Sequence, residues 1–386
     1  MKSLKLLGLW ALALAVGLSA VGCGGGGGSS SLVGSRADLV YLVVDSSYQG
    51  GAMGFIELGF DEGSSAVEPD VIGSLGGDVN VWTYRRGDGP LALVREYSGG
   101  GAGDRVLVVD LSGERVDPVE RRIPDSLRNM HDLLVVGDRA FAAFFDTFEV
   151  GVYPVGEDGM PKFDMPIAQV NLSEDLGLSG RKPHPHRLAL WRGSLLVLVQ
   201  NEEGTWNYDV PGVLLELSSS DLSLLSSLDL GDNPQDLAIS GDFAYVTCLG
   251  GYSASDDEIW KVDLGRMEVV SSADASPFEG LDLSEIELEA RSGTFFLVAG
   301  RYGVGYRLYR FGEDLFEGAS PDLLAEYPGW VNRIALDSGR KLLWVCHRGS
   351  RGDASLDGYD LESGRRRFRF DEARLRGIPY DVSVVR

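Results

Sequence analysis

The sequence predicts an all-β fold built from repeated four-stranded antiparallel sheets. Three features support this prediction: runs of alternating apolar residues, the turn residues between the runs, and the recurrence of the whole unit. After residue 36, short runs with alternating apolar residues are separated by turns rich in Gly, Asp and Ser. One unit is complete within residues 233–270, where four such runs follow one another. This alternation, broken by these turn residues, is typical of an antiparallel meander. A single small sheet cannot bury both of its faces, so we expect it to stack on copies of itself.

The unit recurs with a period of about 50 residues, which is a spacing typical of propeller blades. First strands are predicted to begin at residues 79, 131, 186, 235, 284 and 332. Third strands are predicted at 54–58, 106–111, 150–155, 212–217, 258–264, 306–311 and 357–361. Seven third strands against six first strands indicate seven blades, one of which lacks a first strand of its own.

The two ends of the repeat region supply the missing strand. Residues 378–384 match the first strand of the 233–270 unit but have no hairpin partner after them. Residues 37–44 have the pattern of a second strand without its first. Pairing the two segments would close the ring and remove the free edges of an open array. We therefore predict a seven-bladed β-propeller over residues 37–386, closed by pairing of the C-terminal strand with the N-terminal blade.

The second strand of the fifth repeat ends Tyr245-Val246-Thr247-Cys248. This segment resembles the YVTN-type seven-bladed propeller repeat, in which the strand ends Tyr-Val-Thr-Asn; here Cys248 replaces the Asn. The seventh repeat has a fair match at 343–346, and the other repeats match weakly. The resemblance implies the fold but no chemistry, because propellers include enzymes, sensors and scaffolds.

The N-terminus has the features of an export signal. Lys2 and Lys5 precede an apolar run over residues 6–22, shorter than the ~20 residues of a spanning helix. The run ends Ala20-Val21-Gly22-Cys23, which resembles a bacterial lipoprotein box. The resemblance implies lipidation of Cys23, a signal peptide over residues 1–22 and a Gly/Ser-rich tether over 23–36. An ordinary cleaved signal with a chance cysteine is the alternative.

Lipidation would place the protein on the bacterial cell envelope, and Gly24 after the cysteine favours the outer membrane. The formal charge is −23, and without Lys2 and Lys5 it is −25. Such an acidic chain repels nucleic acid and anionic lipid headgroups, so neither is expected as a partner. We expect a monomer that touches the membrane through its lipid anchor only.

Histidines and cysteines supply the soft metal ligands of the chain. His131 and His186 start first strands of adjacent repeats, with His184 two residues earlier, and His347 ends a second strand. All four are expected on one face, where imidazoles could bind a transition metal; the alternative is a polar set around a wet channel mouth. Cys248 and Cys346 are expected to be buried free thiols, because blades two apart are too distant for a disulfide.

The next position along the first strands carries charge in most repeats. The residues are Asn80, Asp132, Arg187, Asp236, Glu285, Arg333 and Asp381. Inner strands of a propeller line its channel, so this column should lie around the mouth. Arginine–carboxylate pairs could brace neighbouring blades there, or the same groups could bind a polar ligand or a cation.

Three long loops are predicted on the same face, at 201–211, 249–257 and 347–357. They carry Trp206, Tyr208 and Tyr252, which we expect to be exposed and suited to stacking on sugars or peptides. Calcium could be held at 256–258 or by Asp353, Asp357 and Asp360, although neither set has EF-hand spacing.

No catalytic signature accompanies these features. A Gly-x-Ser-x-Gly elbow, a phosphate loop and a His-Glu-x-x-His motif are all missing from the sequence. The sequence therefore favours a lipid-anchored, non-catalytic propeller that binds a protein, peptide or glycan through its loop face, with no cofactor. The alternative is a metal- or cofactor-dependent lyase or oxidoreductase with its site at the channel mouth.

Overall fold

A computed structural model describes residues 37–87, 89–97, 104–113, 116–178, 181–204, 207–250, 257–349 and 352–385. In the first four blades the strands, in chain order, are β1 (Leu39–Val44), β2 (Gly51–Glu57), β3 (Ala66–Leu75), β4 (Val79–Arg86), β5 (Gly89–Glu96), β6 (Arg105–Asp110), β7 (Val119–Arg122), β8 (Met130–Val136), β9 (Arg139–Phe144), β10 (Glu149–Pro154), β11 (Ala168–Asn171), β12 (Lys182–Trp191), β13 (Ser194–Glu202), β14 (Pro211–Ser218) and β15 (Leu224–Asp232).

In the last three blades they are β16 (Pro234–Ser240), β17 (Phe243–Cys248), β18 (Glu258–Asp263), β19 (Glu268–Asp274), β20 (Asp282–Glu289), β21 (Thr294–Arg301), β22 (Gly305–Phe311), β23 (Asp322–Tyr327), β24 (Val331–Asp337), β25 (Leu342–His347), β26 (Ser355–Asp360) and β27 (Arg366–Asp371). The last strand, β28 (Ile378–Val384), returns to the first blade. Two 3-10 turns (Ser276–Phe278 and Glu313–Glu317) and the single-turn helix α1 (Glu372–Leu375) complete the described elements.

These strands form seven four-stranded antiparallel sheets, which confirms the predicted fold. Six sheets use four consecutive strands, and the seventh has the order β28-β1-β2-β3. Within it, β28 pairs antiparallel with β1, with Tyr41 opposite Val382. The ring is thus closed by the C-terminal strand, as the missing first strand predicted. The innermost strands are β28, β4, β8, β12, β16, β20 and β24.

The hydrophobic core lies between the blades. Seven clusters of buried side chains are present in the described residues, and each joins two neighbouring blades. Glycines on third strands make room for large rings in these layers. A Cβ on Gly358 would lie 2.7 Å from the buried Trp344 ring, and one on Gly54 would lie 2.3 Å from Tyr41. Each sheet is therefore buried by its neighbours, as the repeat pattern requires.

A β-bulge interrupts six of the seven inner strands at one level. In β8 and β12 the extra residues are His131 and His186, because pairing skips from Met130 to Asp132 and from Pro185 to Arg187. Only β4 pairs without interruption, and its residue in the charged column is Asn80. A bulge bends the strand and redirects side chains. This level is where the charged column enters the channel.

Cys248 and Cys346 are buried and unbridged, as expected. None of the helices within the described residues is long and apolar enough to cross a membrane. The predicted signal peptide and tether lie outside these residues.

Candidate functional site at the channel mouth

The charged column forms a connected layer across the channel. Arg187 contacts Asp236 (Nε–Oδ1, 3.1 Å) and reaches Glu285, two blades away (Nη2–Oε1, 2.7 Å). Arg333 contacts the other oxygen of Glu285 at 3.2 Å and Asp381 at 3.8 Å. Five of the seven column residues therefore share one ion-pair network, in which two guanidiniums face three carboxylates.

The aspartates of the layer also bind the neighbouring blade through its backbone. Each aspartate accepts one hydrogen bond from a backbone N–H of the next inner strand. It accepts a second from the backbone N–H of the residue that follows it in the sequence. The contacts to the next strand are Leu188 N to Asp132 (2.8 Å), Ile286 N to Asp236 (3.1 Å) and Val81 N to Asp381 (2.9 Å). Asp132 also accepts from the indole N–H of Trp82 at 3.1 Å. This geometry is that of inter-blade bracing.

Burial and mutual contacts act in opposite directions on the charge of these groups. Burial raises the pKa of Glu285 and of Asp381, and the neighbouring guanidiniums oppose that effect. Burial opposes the charge of Arg333, but Glu285 and Asp381 outweigh it, so the pKa of Arg333 is raised. The layer is largely neutralised from within, because each buried charge faces one of opposite sign.

His131 and His186 meet on the outer side of this layer. Their Nδ1 atoms are 3.0 Å apart, and the His131 ring stacks on Phe145 with centroids 4.1 Å apart. Burial lowers the pKa of both imidazoles well below the usual value, and each is further lowered by nearby cationic groups. Both are therefore neutral at pH 7, and one Nδ1–H donates to the other Nδ1.

The other two histidines are engaged or distant. His184 Nδ1 donates to the Phe145 carbonyl at 2.8 Å, and Nε2 lies 2.9 Å from a carboxylate oxygen of Glu202. His347 lies in blade seven and contacts Tyr327. Across the described ranges, no group of three or more His, Cys, Asp or Glu side chains is arranged to hold a metal ion. The structure thus brings together only two of the four proposed metal ligands as a pair.

One expectation about the loops is wrong. Tyr208 is 8% exposed, because its loop folds back and places the ring beside His184, with centroids 6.3 Å apart. Trp206 and Tyr252 lie outside the described residues, as does the lipidation candidate Cys23. Of the calcium candidates, Asp357 is contacted by Arg366 at 3.3 Å, and Asp256 is not described.

Exposed apolar side chains form a band on the loop face over blades six, seven and one. Tyr302 and Val304 are 86% and 67% exposed in the β21–β22 hairpin, and Trp330 is 47% exposed just before β24. Trp330 stacks on Tyr306 with centroids 5.5 Å apart. Next to it, the Arg348 guanidinium lies over the Tyr48 ring at 4.1 Å, and Arg348 N donates to the Trp330 carbonyl. The repeat pattern does not predict this band, because its members occupy different positions in their repeats.

A cavity of about 600 Å³ occupies the channel on the other side of the charged layer. Its walls combine apolar side chains of the inner strands, such as Leu134 and Ile239, with polar groups. The polar groups include four members of the charged column, Asp132, Arg187, Asp236 and Arg333. Trp82 was not predicted as a partner of the column, nor were Phe145 and Glu202 as partners of the histidines, because each contact joins different strands or blades.

Solved structures with the same fold extend over nearly the whole chain. A provisionally assigned 6-phosphogluconolactonase from Bacteroides fragilis has a TM-score of 0.62 at 12% identity, covering 91% of this chain and 98% of its own. A similarly assigned protein from Bacteroides uniformis has a TM-score of 0.60 at 14% identity, covering 90% and 99%. A protein of unknown function from Desulfotomaculum acetoxidans has a TM-score of 0.57 at 12% identity, covering 90% and 99%.

No protein-family model and no curated protein matches this chain in sequence. At these identities, likeness to the solved structures establishes the seven-bladed propeller and no activity.

Replacing Glu285 with Gln should destabilise the ring. The change leaves Arg187 and Arg333 buried with one fewer counter-charge, so we expect the free energy of unfolding to fall by about 3 kcal/mol in urea titrations. Glu268→Gln is the matched control: Glu268 pairs with Arg266 at 3.2 Å, and both side chains are more than half exposed. The free energy of unfolding of this control variant should fall by no more than about 1 kcal/mol. Equal effects of the two substitutions would contradict the bracing role.

The histidine pair should make the fold sensitive to mild acid. Unfolded imidazoles titrate near ~6.5, whereas His131 and His186 resist protonation in the fold. Below pH ~6.5 the unfolded chain thus binds protons that the folded chain does not. The free energy of unfolding should therefore decrease as pH falls, by up to about 1.4 kcal/mol per pH unit for each histidine.

The measurement is urea unfolding between pH 7.5 and 5 for the parent and for the double variant His131→Gln/His186→Gln. The variant should show a shallower dependence, since Gln does not titrate. The same slope in both proteins would mean that the pair is not held neutral in the fold.

Proposed function

We propose that this protein is a lipid-anchored propeller of the bacterial cell envelope, of the YVTN repeat type. It acts as a non-catalytic binding or scaffold module and recognises a protein, peptide or glycan through its loop face. The observation that carries this proposal is the exposed band of Tyr302, Val304 and Trp330 beside Arg348. Exposed apolar patches on soluble domains commonly mark interaction sites, and aromatic and arginine side chains are enriched among binding hot spots.

The chemistry of the channel mouth also supports a binding role. Its two arginines and three of its carboxylates bind one another, and its two neighbouring imidazoles hydrogen bond to each other. These groups are used to join blades. The acidic charge of −23 further favours a partner other than nucleic acid. We expect the propeller to act as a monomer.

An enzymatic role at the mouth is the second candidate. The two Bacteroides neighbours are provisionally assigned as 6-phosphogluconolactonases, and a phosphosugar would need cationic contacts. Arg187 and Arg333 lie at the mouth, but both already contact carboxylates. For a metal- or cofactor-dependent lyase or oxidoreductase, the His131–His186 pair supplies two nitrogen ligands, fewer than the three protein ligands of typical catalytic zinc sites. The binding role therefore has the stronger support.

Replacing Cys23 with Ser should release the protein from the membrane. Several acyl chains on one residue give stable anchoring, whereas a single chain is marginal. We expect the parent expressed in a bacterium to partition into detergent with an acyl mass on Cys23, and Cys23→Ser to remain in the aqueous phase. A parent without acyl mass, or a variant that still partitions into detergent, would overturn the anchoring proposal.

The double variant Tyr302→Ala/Trp330→Ala should lose its partner. Truncating a hot-spot aromatic costs about 2 kcal/mol or more, so capture from native envelope extracts should fall at least ~30-fold. The control is Phe60→Ala/Met165→Ala, which removes two exposed apolar side chains from loops on the opposite face. The measurement is quantitative mass spectrometry of crosslinked pulldowns with each variant. Unchanged capture by the Tyr302/Trp330 variant, or an equal loss in the control, would exclude the band as the contact surface.

A further inference from the structure

A groove of about 480 Å³ lies on the rim of the ring between blades six and seven. Its walls come from the end of β23 and from β26 and β27, with Tyr327 on one side and Tyr359 and Arg369 on the other. The groove is separate from the channel mouth. Its volume lies within the range of small-molecule sites in proteins.

Buried polar atoms without partners converge on this groove. His347 lines it and is 2% exposed; the Asp353 backbone lies near its imidazole, but among the described residues no group makes a hydrogen bond of normal geometry with either ring nitrogen. Oδ1 of Asp353, also in the lining, is likewise buried and unpaired. Behind them, Asp357 is fully buried with an unpaired Oδ1. Buried polar groups in native proteins are nearly always hydrogen-bonded, so such a cluster beside a cavity indicates a ligand site.

Charged groups of both signs surround the groove. Among the described residues, three arginines line it, at 365, 366 and 369. Asp357 contacts Arg366 at 3.3 Å and Arg369 at 3.8 Å, and Arg369 also donates to the Asp353 carbonyl at 3.3 Å, whereas Glu326 pairs with Arg307 at 3.1 Å. Burial lowers the pKa of His347, so its imidazole is neutral at pH 7. An anion would be repelled by the unpaired carboxylate oxygens of Asp353 and Asp357, and a cation would be repelled by the arginines.

We propose that this groove binds a neutral polyhydroxylated ligand, the size of one saccharide unit. A sugar hydroxyl both donates and accepts hydrogen bonds. It can donate to Asp353 or to an imidazole nitrogen of His347 and can accept from the guanidiniums of Arg366 and Arg369. This site lies beyond the loop-face contact proposed above and does not depend on it.

The test is titration of the full chain with glucose, galactose, mannose and N-acetylglucosamine, followed by ligand-observed NMR and calorimetry. Glucuronate, glucosamine and inorganic phosphate are the charged comparators. We expect saturable one-site binding of at least one neutral sugar and at least tenfold weaker binding of every charged compound.

Two variants locate the site. His347→Phe keeps a ring of similar size but removes both nitrogens, and Asp353→Asn removes one carboxylate; each should weaken binding at least tenfold. Asp322→Asn, at the other end of β23 in an exposed pair with Arg310, is the matched control and should bind like the parent. Thermal melting verifies that each variant is folded. If His347→Phe does not fold, the affinity of Asp353→Asn alone tests whether the sugar binds in this groove.

Three outcomes would overturn the proposal: no saturable binding of any neutral sugar, tighter binding of a charged comparator, or parent-like affinity in folded Asp353→Asn. None of them bears on partner capture by the Tyr302/Trp330 band, so failure of one proposal leaves the other intact.

Discussion

Closure of the ring depends on one layer of polar contacts that passes through every blade interface. In order around the ring, the contacts join Trp82 to Asp132, Asp132 to Leu188, Arg187 to Asp236, Asp236 to Ile286, Glu285 to Arg333, Arg333 to Asp381 and Asp381 to Val81. Burying these charges is costly, and the cost is offset only where each charge meets a partner. The layer is therefore stable as a complete circle rather than as separate pairs.

This circle can form only because the last strand sits in the first blade. Asp381 belongs to β28, yet its partners are Arg333 in blade seven and the backbone of Val81 in blade two. The bulge at Tyr380 in that strand matches those at His131 and His186. The same backbone distortion thus recurs where a charged side chain has to reach a neighbouring blade. Chain closure and charge neutralisation are two aspects of a single arrangement.

The fold could be predicted because its signals are local and repeated. Alternating apolar residues and turn residues recur in each blade, and the unpaired segments at 37–44 and 378–384 indicate the closing pair. The charged column was also found by its position in the repeat. The contacts made by the column residues could not be predicted in the same way, because Arg187 reaches past blade five to Glu285. Tyr208 was misjudged for a similar reason, since sequence pattern does not tell whether a loop folds inward.

The distribution of satisfied and unsatisfied polar groups favours the rim over the channel mouth for the proposed recognition. At the channel mouth, the ion-paired arginines and carboxylates contact one another, and the His131 and His186 imidazoles are hydrogen-bonded to each other. A ligand that binds these groups would have to compete with contacts that join the blades. In the groove between blades six and seven, His347 and Asp353 have buried polar atoms with no partner among the described residues. A ligand there would add hydrogen bonds without removing any. The contacts at the mouth join the blades, and this is why both proposed binding sites lie elsewhere, at the rim and on the loop face.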